Sequence, residues 1–186
     1  VIKEYFYNYM MHTSDITIST KDNKIIVHNN QSESWNITLV ETGSDSMTGG
    51  RLKRVYEHIK DEEQFFFTYG DGVGDINISE LLSFHKKHKK LATVTMSHPP
   101  SRFGVINTLN NVVESFQEKP DDGSQWINAG YFVLSPEVLK YIEGDDTIWE
   151  NEPLKKLTIE RELMAFKHTG FWQPMDTLYE KNLLND

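Results

Sequence analysis

Two aspartates in the chain stand in local contexts that suit a metal ion or a phosphate. Asp71 follows a short apolar run in TYGDG, and Asp176 follows a proline turn in QPMDT. In an open α/β sheet, ligands bind beyond the carboxyl ends of the strands, and a glycine such as Gly70 lets them approach the backbone. Mg²⁺ takes one or two carboxylates and fills its other positions with water and substrate phosphates. The pair therefore predicts a magnesium site, although alone Asp71 also suits a tight turn and Asp176 a helix N-cap.

A glutamate and a lysine in FQEKP form a second candidate group. Glu118 and Lys119 stand at the end of a predicted strand, which Pro120 closes. A lysine at this point can hold a phosphate, and a glutamate can accept hydrogen bonds from sugar hydroxyls. The competing interpretation is a solvated strand end, which would be preferred if the Glu-Lys pair stood alone.

A threonine and two glycines in MTGGRLKR form a third candidate group. Thr48, Gly49 and Gly50 stand where a helix is predicted to begin. Helix N-termini favour anions, and glycine permits close backbone contact with a base or a phosphate. A plain junction between a loop and a helix explains the same pattern.

Other motifs in the chain do not support a site. The segment HKKHKK (85–90) contains two histidines, but cations at a helix C-terminus are the favoured interpretation because the macrodipole stabilises them there. An EF-hand loop beginning at Asp71 would need glycine where Ile76 stands and glutamate where Leu82 stands. A dinucleotide fingerprint would need glycine in place of Asp75.

The composition excludes several classes of protein. The chain of 186 residues has 19 basic and 28 acidic side chains, and its net charge of −9 argues against a duplex nucleic-acid binder. It contains no cysteine, which excludes a disulfide scaffold and cysteine-based zinc sites and fits a reducing cytoplasm. No apolar run approaches the roughly 20 residues of a membrane span, and no signal-peptide pattern is present. We therefore expect a cytoplasmic protein that acts on neither membranes nor nucleic acids.

Apolar periodicity predicts strands that alternate with helices. We expect a helix over residues 1–12, a hairpin around Asp22-Asn23 and a strand over 35–43. The further strands are QFFFTY, LATVTM, FGVIN, VVESFQEK, INAGYFVLS and LMAFKH, and the further helices are RLKRVYEHIK, ELLSFHKKHKK with Ser79 as its cap, EPLKKL, and one beginning at Asp176. QFFFTY does not alternate, so it predicts a strand buried on both faces. The pattern favours a single α/β domain over residues 1–186, with three layers and a mixed, mostly parallel sheet.

Six segments, in this order, resemble the sugar-phosphate nucleotidylyltransferase family: MTGGRLKRV, FFFTYGDGVGDIN, SRFGVI, SFQEKP, WINAGYFVL and GFWQPMDTLYEKNLL. The resemblance extends over essentially the whole chain. It implies the nucleotide-diphospho-sugar transferase fold, a Rossmann-like α/β/α sandwich. It also implies Mg²⁺-dependent transfer of a cytidylyl group from CTP to α-D-glucose 1-phosphate, giving CDP-glucose and pyrophosphate for lipopolysaccharide O-antigen biosynthesis. A homo-oligomer, a hexamer, is the assembly that the resemblance implies.

The resemblance also implies roles for individual residues. Asp71 and Asp176 would hold Mg²⁺, and Lys119 would contact the sugar phosphate and the α-phosphate. The other implied substrate contacts are Glu118, Asn128 and Gly130 in the sugar pocket, Arg102 and Gly104 nearby, Gly70 beside the first aspartate, and Thr48, Gly49 and Gly50 near the base.

One departure from the family concerns its N-terminal region. The family begins with a strand, a Gly-Gly-x-Gly-Thr-Arg loop that cradles the triphosphate, and a Lys-Pro segment, and none of the three is in this sequence. We therefore expect an N-terminally truncated excerpt that is inactive by itself.

Three alternatives remain open. The same fold can use UTP, dTTP or GTP, and a non-catalytic relative can bind sugar nucleotides without turning them over. A metal-dependent glycosyltransferase is disfavoured, because it would normally carry Asp-x-Asp where this chain has Asp71-Gly72-Val73.

Overall fold

The computed structural model describes residues 1–99, 105–109, 112–117 and 125–185. Contacts within the chain divide it into two compact units, residues 1–41 and residues 42–186. The single domain over residues 1–186 stays a prediction.

The first unit consists of two short helices and a β-hairpin. They are α1 (Ile2–Tyr7), α2 (Tyr9–His12), β1 (Asp15–Ser19) and β2 (Lys24–His28), and β1 and β2 are antiparallel. The expected N-terminal helix is interrupted at Asn8, whose side chain donates to the Glu4 carbonyl at 2.9 Å. The hairpin is confirmed, and Asn23 in its turn adopts a positive φ of 51°.

The strand expected over residues 35–43 is wrong, because this segment pairs with no strand in the described part of the chain. Its alternating apolar side chains Trp35, Ile37 and Leu39 line an apolar groove together with residues of α1 and α2. The Trp35 ring lies 5.8 Å from the ring of Tyr9, centroid to centroid. Side-chain packing against the helices therefore takes the place of a strand ladder.

The second unit contains four helices and eight strands within its described residues. The helices are α3 (Thr48–Arg54), α4 (Ile78–His88), α5 (Glu152–Ile159) and α6 (Leu178–Leu183), with 3₁₀ turns at Tyr56–His58 and Pro136–Tyr141. The strands are β3 (Phe65–Thr68), β4 (Gly72–Gly74), β5 (Ala92–Ser97), β6 (Val105–Leu109), β7 (Val112–Gln117), β8 (Ile127–Leu134), β9 (Leu163–Lys167) and β10 (Trp172–Pro174).

The central sheet has the strand order β3-β8-β5-β9. β8 is antiparallel to both of its neighbours, while β5 and β9 are parallel. Three of the four strands therefore run in one direction and β8 runs against them, which is the mixed, mostly parallel sheet that the sequence predicts. The expected antiparallel pair β6–β7 is also present, and β4 and β10 form a separate two-stranded ribbon.

Side chains of β8 face two apolar layers. Phe132 and Leu134 join a buried cluster that includes Trp149 from the segment before α5, and Val133 packs with Leu81 of α4 in another. Helices thus cover both faces of the sheet, and the three-layer architecture is confirmed.

Two local expectations need correction. β3 has β8 as its only partner among the described residues, and its side chains alternate in exposure, so that Phe66 is 45% exposed. The expectation that this strand is buried on both faces is therefore wrong. The cap of α4 is Asn77, whose side chain accepts from the Glu80 amide at 3.1 Å, and not Ser79.

Two histidines fasten α4 to the sheet. His85 and His88 each hydrogen-bond the Thr93 hydroxyl of β5, at 2.8 and 2.7 Å. His85 is buried, and that burial, with the neighbouring His88, lowers its pKa from 6.5 to about 4. The two rings therefore pack α4 against the sheet, a role that the sequence analysis, which expected cations at the helix C-terminus, did not predict.

Stability should fall in acid because of His85. An unfolded histidine titrates near 6.5, so between about pH 6.5 and 4 the unfolded chain binds the extra proton and the folded chain does not. The loss of stability should be on the order of 1–3 kcal/mol, which corresponds to a fall of about 2–10 °C in Tm for a chain of this size. This loss is measured by the thermal unfolding midpoint of the parent and of His85→Gln between pH 7 and 4.5.

The His85→Gln substitution should make the midpoint depend less on pH, whereas the control His58→Gln, at an exposed histidine, should not. The same dependence of Tm on pH in all three proteins would contradict the role given to His85.

Candidate active site

The β4–β10 ribbon carries Asp71 and Asp176 at one end. Pro174 pairs with Gly72, and the Met175 amide donates to the Asp71 carbonyl at 2.7 Å. Because Asp176 follows Met175 directly, the ribbon register places the backbones of the two aspartates near each other. This backbone proximity comes from an antiparallel pairing, and not from two neighbouring strands of the main sheet.

A capping box fixes the backbone of Asp176. Thr177 is the N-cap of α6, and its hydroxyl accepts from the Glu180 amide at 3.2 Å. The buried Glu180 carboxylate accepts in turn from the amides of Asp176 and Thr177, at 3.0 and 2.9 Å. The helix begins at Leu178 with Thr177 as its N-cap, so the expectation that it begins at Asp176 is wrong by two residues. The Asp176 carboxylate is therefore not used as the helix cap.

The donor set of the two aspartates fits Mg²⁺. Both side chains are exposed, and neither carboxylate has a hydrogen-bond or ion-pair partner among the residues that the structure describes. Those residues also contain no group of three or more histidines and acidic side chains arranged to hold a metal. Two carboxylates with open positions are what Mg²⁺ needs when water and phosphate oxygens complete its shell.

A bulge in β8 lies beside Asp71. β5 and β8 pair at Val94–Phe132 and next at Met96–Asn128, so one residue of β5 faces three of β8. Gly130 takes a φ of +77° within the bulge, and its amide donates to the Asn128 side chain at 2.8 Å. A Cβ on Gly130 would come within 2.8 Å of the Tyr69 ring. Backbone conformation and close packing therefore both require glycine here.

Two side chains tie the ribbon to this bulge. The Trp172 indole of β10 donates to the Ala129 carbonyl at 2.9 Å, and the Tyr131 hydroxyl of β8 donates to the Gly72 carbonyl at 2.8 Å. The bulge thus supports both strands of the ribbon that carries the aspartates.

An open pocket of about 440 Å³ adjoins Asp71. Its lining residues are Thr48, Tyr69, Gly70, Asp71 and Glu150. The structure therefore brings together three of the predicted site residues, Thr48, Gly70 and Asp71. Tyr69 and Glu150 were missed by the sequence analysis. Tyr69 adjoins the GDG motif, but Glu150 lies 81 residues further along, so no local spacing could have indicated it.

The glycine pair at the start of α3 has a packing explanation. A Cβ on Gly49 would come within 2.7 Å of the Thr147 carbonyl, and a Cβ on Gly50 within 2.3 Å of the Asp145 carbonyl. Both amides donate to the Thr147 carbonyl, at 2.9 and 3.2 Å. The close approach of the two chain segments requires glycines, and contact of this pair with a base stays a prediction.

Four predicted site residues lie outside the described residues. They are Arg102, Gly104, Glu118 and Lys119. Asn128 and Gly130, the other predicted sugar contacts, lie in the bulge next to Tyr69.

Comparison with known proteins identifies the family. The family model described as nucleotidyl transferase matches residues 2–173. The chain belongs to this family. The resemblance inferred from the motifs is thereby confirmed. Asp71 lies inside the matched region, and Asp176 lies shortly after its end at residue 173.

Curated relatives include enzymes with two different nucleotide preferences in their names. Glucose-1-phosphate cytidylyltransferase of Salmonella typhimurium is 55% identical over 181 residues, which are 97% of this chain and 70% of that protein. Mannose-1-phosphate guanyltransferase of Saccharomyces cerevisiae is 36% identical over 155 residues, 77% of this chain and 43% of that protein.

A solved structure supports the fold. UDP-glucose pyrophosphorylase complexed with UDP-glucose superimposes with a TM-score of 0.54 at 15% identity, covering 76% of this chain and 61% of that one. The present chain thus spans about three fifths of the length of that protein. None of the helices in its described part has the length and apolar character needed to cross a membrane.

Replacing one carboxylate of the pair should disable the site. In the natural polypeptide that contains this sequence, Asp176→Asn should lower kcat at least about a hundredfold, the scale of one key electrostatic group. The substitution keeps the hydrogen bond that the Asp176 backbone amide donates to the Glu180 carboxylate. Steady-state turnover at saturating Mg²⁺ measures the effect, with the exposed Asp61→Asn as the matched control. Near-normal turnover of Asp176→Asn would overturn the two-aspartate assignment.

Proposed function

We propose that the natural polypeptide containing this sequence transfers the cytidylyl group of CTP to α-D-glucose 1-phosphate, giving CDP-glucose and pyrophosphate. The observation that carries the proposal is the 55% identity, over 97% of the chain, to a glucose-1-phosphate cytidylyltransferase. Asp71 lines an open pocket, and Asp176 follows the residue whose amide donates to the Asp71 carbonyl, so both carboxylates belong to the region where the reaction would need a metal ion.

The reaction needs positioning more than acid–base catalysis. Glucose 1-phosphate is already anionic at neutral pH, so one of its phosphate oxygens can attack the α-phosphorus of CTP without a strong base. The new phosphorus–oxygen bond forms as the bond to the β-phosphate breaks, and pyrophosphate leaves in line. The proposed reaction therefore needs neither a cysteine nor a serine nucleophile.

Asp71 and Asp176 are proposed to hold Mg²⁺ through their exposed carboxylates. The bound ion supplies charge neutralisation around the phosphates. The ribbon fixes the main chain at Asp71, and the capping box fixes the main chain at Asp176, so the backbone from which both carboxylates project is preorganised.

The net charge of −9 opposes the binding of two anionic substrates, so local cations must offset it. Lys119 is proposed to contact the sugar phosphate and the α-phosphate, with Arg102 and Gly104 nearby. The proposed sugar contacts are Glu118, Asn128 and Gly130, and the proposed contacts near the base are Thr48, Gly49 and Gly50, with Gly70 beside the metal.

The choice of base and the assembly are further parts of the proposal. A guanyltransferase at 36% identity keeps GTP as the principal alternative to CTP. The higher identity and coverage of the cytidylyltransferase favour CTP. A homo-oligomer, hexameric by resemblance, and a cytoplasmic location complete the proposed description.

Nucleotide choice can be measured by pyrophosphate release. The natural polypeptide should release pyrophosphate with Mg²⁺, glucose 1-phosphate and CTP, and at least about a hundredfold more slowly with UTP, dTTP or GTP, as expected where buried polar groups select the base. Chelation of divalent ions should abolish release. Release with another nucleotide alone would keep the mechanism and overturn the base assignment. No release with any nucleotide would favour a non-catalytic relative.

A further inference from the structure

Tyr69 connects two segments of chain that meet at the pocket. Its ring lies over Gly130 in the β8 bulge, filling the space that a Cβ there would take. Its hydroxyl donates to Oε1 of Glu150. One phenol therefore contacts both the bulge and the segment that precedes α5.

Glu150 is held from two sides. One carboxylate oxygen accepts from Tyr69, and the other accepts from the Thr48 hydroxyl at 2.7 Å. The Thr48 oxygen accepts in turn from the amide of Trp149 at 2.9 Å, and the Trp149 side chain is fully buried. Charge-assisted hydrogen bonds of this kind fix the carboxylate orientation more firmly than bonds between neutral groups. Glu150 thus links the first residue of α3 to Tyr69.

Tyr69 is suited to remain a donor. Burial of the phenol and its bond to the Glu150 carboxylate hold the pKa of Tyr69 well above its ordinary value. The hydroxyl therefore stays protonated, and a donor, at neutral pH.

We propose that Tyr69 is a positioning residue, whose phenol holds the Glu150 wall of the pocket at a fixed separation from the β8 bulge. Tyr69 acts through Glu150 and does not itself touch the reacting atoms. The proposal rests on the proposed function, because the bulge carries the proposed sugar contacts and Thr48 is a proposed contact near the base. A phenol that spaces these two walls affects the binding of both substrates before the chemical step.

The direct test is Tyr69→Phe in the natural polypeptide. This change removes the donated hydrogen bond and keeps the ring over Gly130. Both KM values should rise by about tenfold, as expected for the loss of one hydrogen bond to a charged group, and kcat should fall by less than about threefold. Such a split is not expected from general destabilisation, which the thermal unfolding midpoint monitors separately.

Tyr141→Phe is the matched control. Tyr141 is buried, and like the partly buried Tyr69 it donates to a carboxylate, that of Glu160, at 2.5 Å. It lines no part of the pocket beside Asp71. Its loss removes the same kind of bond, and both KM values should stay at the parental level.

A double variant separates action through Glu150 from direct contact with a substrate. In a Glu150→Ala background, Tyr69→Phe should have no further effect on either KM, because the acceptor of its hydrogen bond is already gone. Parental KM values in the single variant, or an undiminished effect in the Glu150→Ala background, would overturn the proposal. A parent that releases no pyrophosphate with any nucleotide would contradict the proposed function and this proposal together. An active parent with an unaffected Tyr69→Phe variant would contradict only the positioning role.

Discussion

The β8 bulge is the constraint on which the rest of the site depends. By placing three residues of β8 opposite one of β5, it turns the Ala129 carbonyl towards the Trp172 indole and lets the Tyr131 hydroxyl reach the Gly72 carbonyl. Gly130 at its centre leaves room for the Tyr69 ring. A regular ladder would satisfy the Ala129 carbonyl within the sheet and leave the ribbon without this support.

Two different kinds of backbone contact position the main chain at the two aspartates. The ladder of the β4–β10 ribbon sets Asp71, and the capping box at Thr177 sets Asp176. Both devices use main-chain amides, so the carboxylates themselves remain available to a metal. Neither aspartate therefore needs its own side chain to hold its place in the fold.

Local patterns in the sequence indicated much of the fold and three of the five residues that line the pocket, Thr48, Gly70 and Asp71. The alternation of strands and helices predicted the three layers, and TYGDG and QPMDT pointed to Asp71 and Asp176 because glycines and helix starts leave local signals. Long-range contacts were not predictable. No spacing linked Tyr69 to Glu150 across 81 residues, and the glycine pair at the start of α3 proved to be required by the Asp145 and Thr147 carbonyls. The strand expected over residues 35–43 failed for the same reason, since side-chain packing there replaced a ladder.

The most direct measurement is divalent metal affinity after the bulge is perturbed. Mn²⁺ binding, followed by electron paramagnetic resonance, should be about tenfold weaker or more in Gly130→Ala of the natural polypeptide, as for other changes to groups that support metal ligands. The added Cβ meets both a positive φ and the Tyr69 ring. Gly144→Ala is the control, because a Cβ there meets only an ordinary contact with Asp146 at 3.4 Å. Parental Mn²⁺ affinity in a folded Gly130→Ala variant would contradict the claim that the bulge positions Asp71 and Asp176.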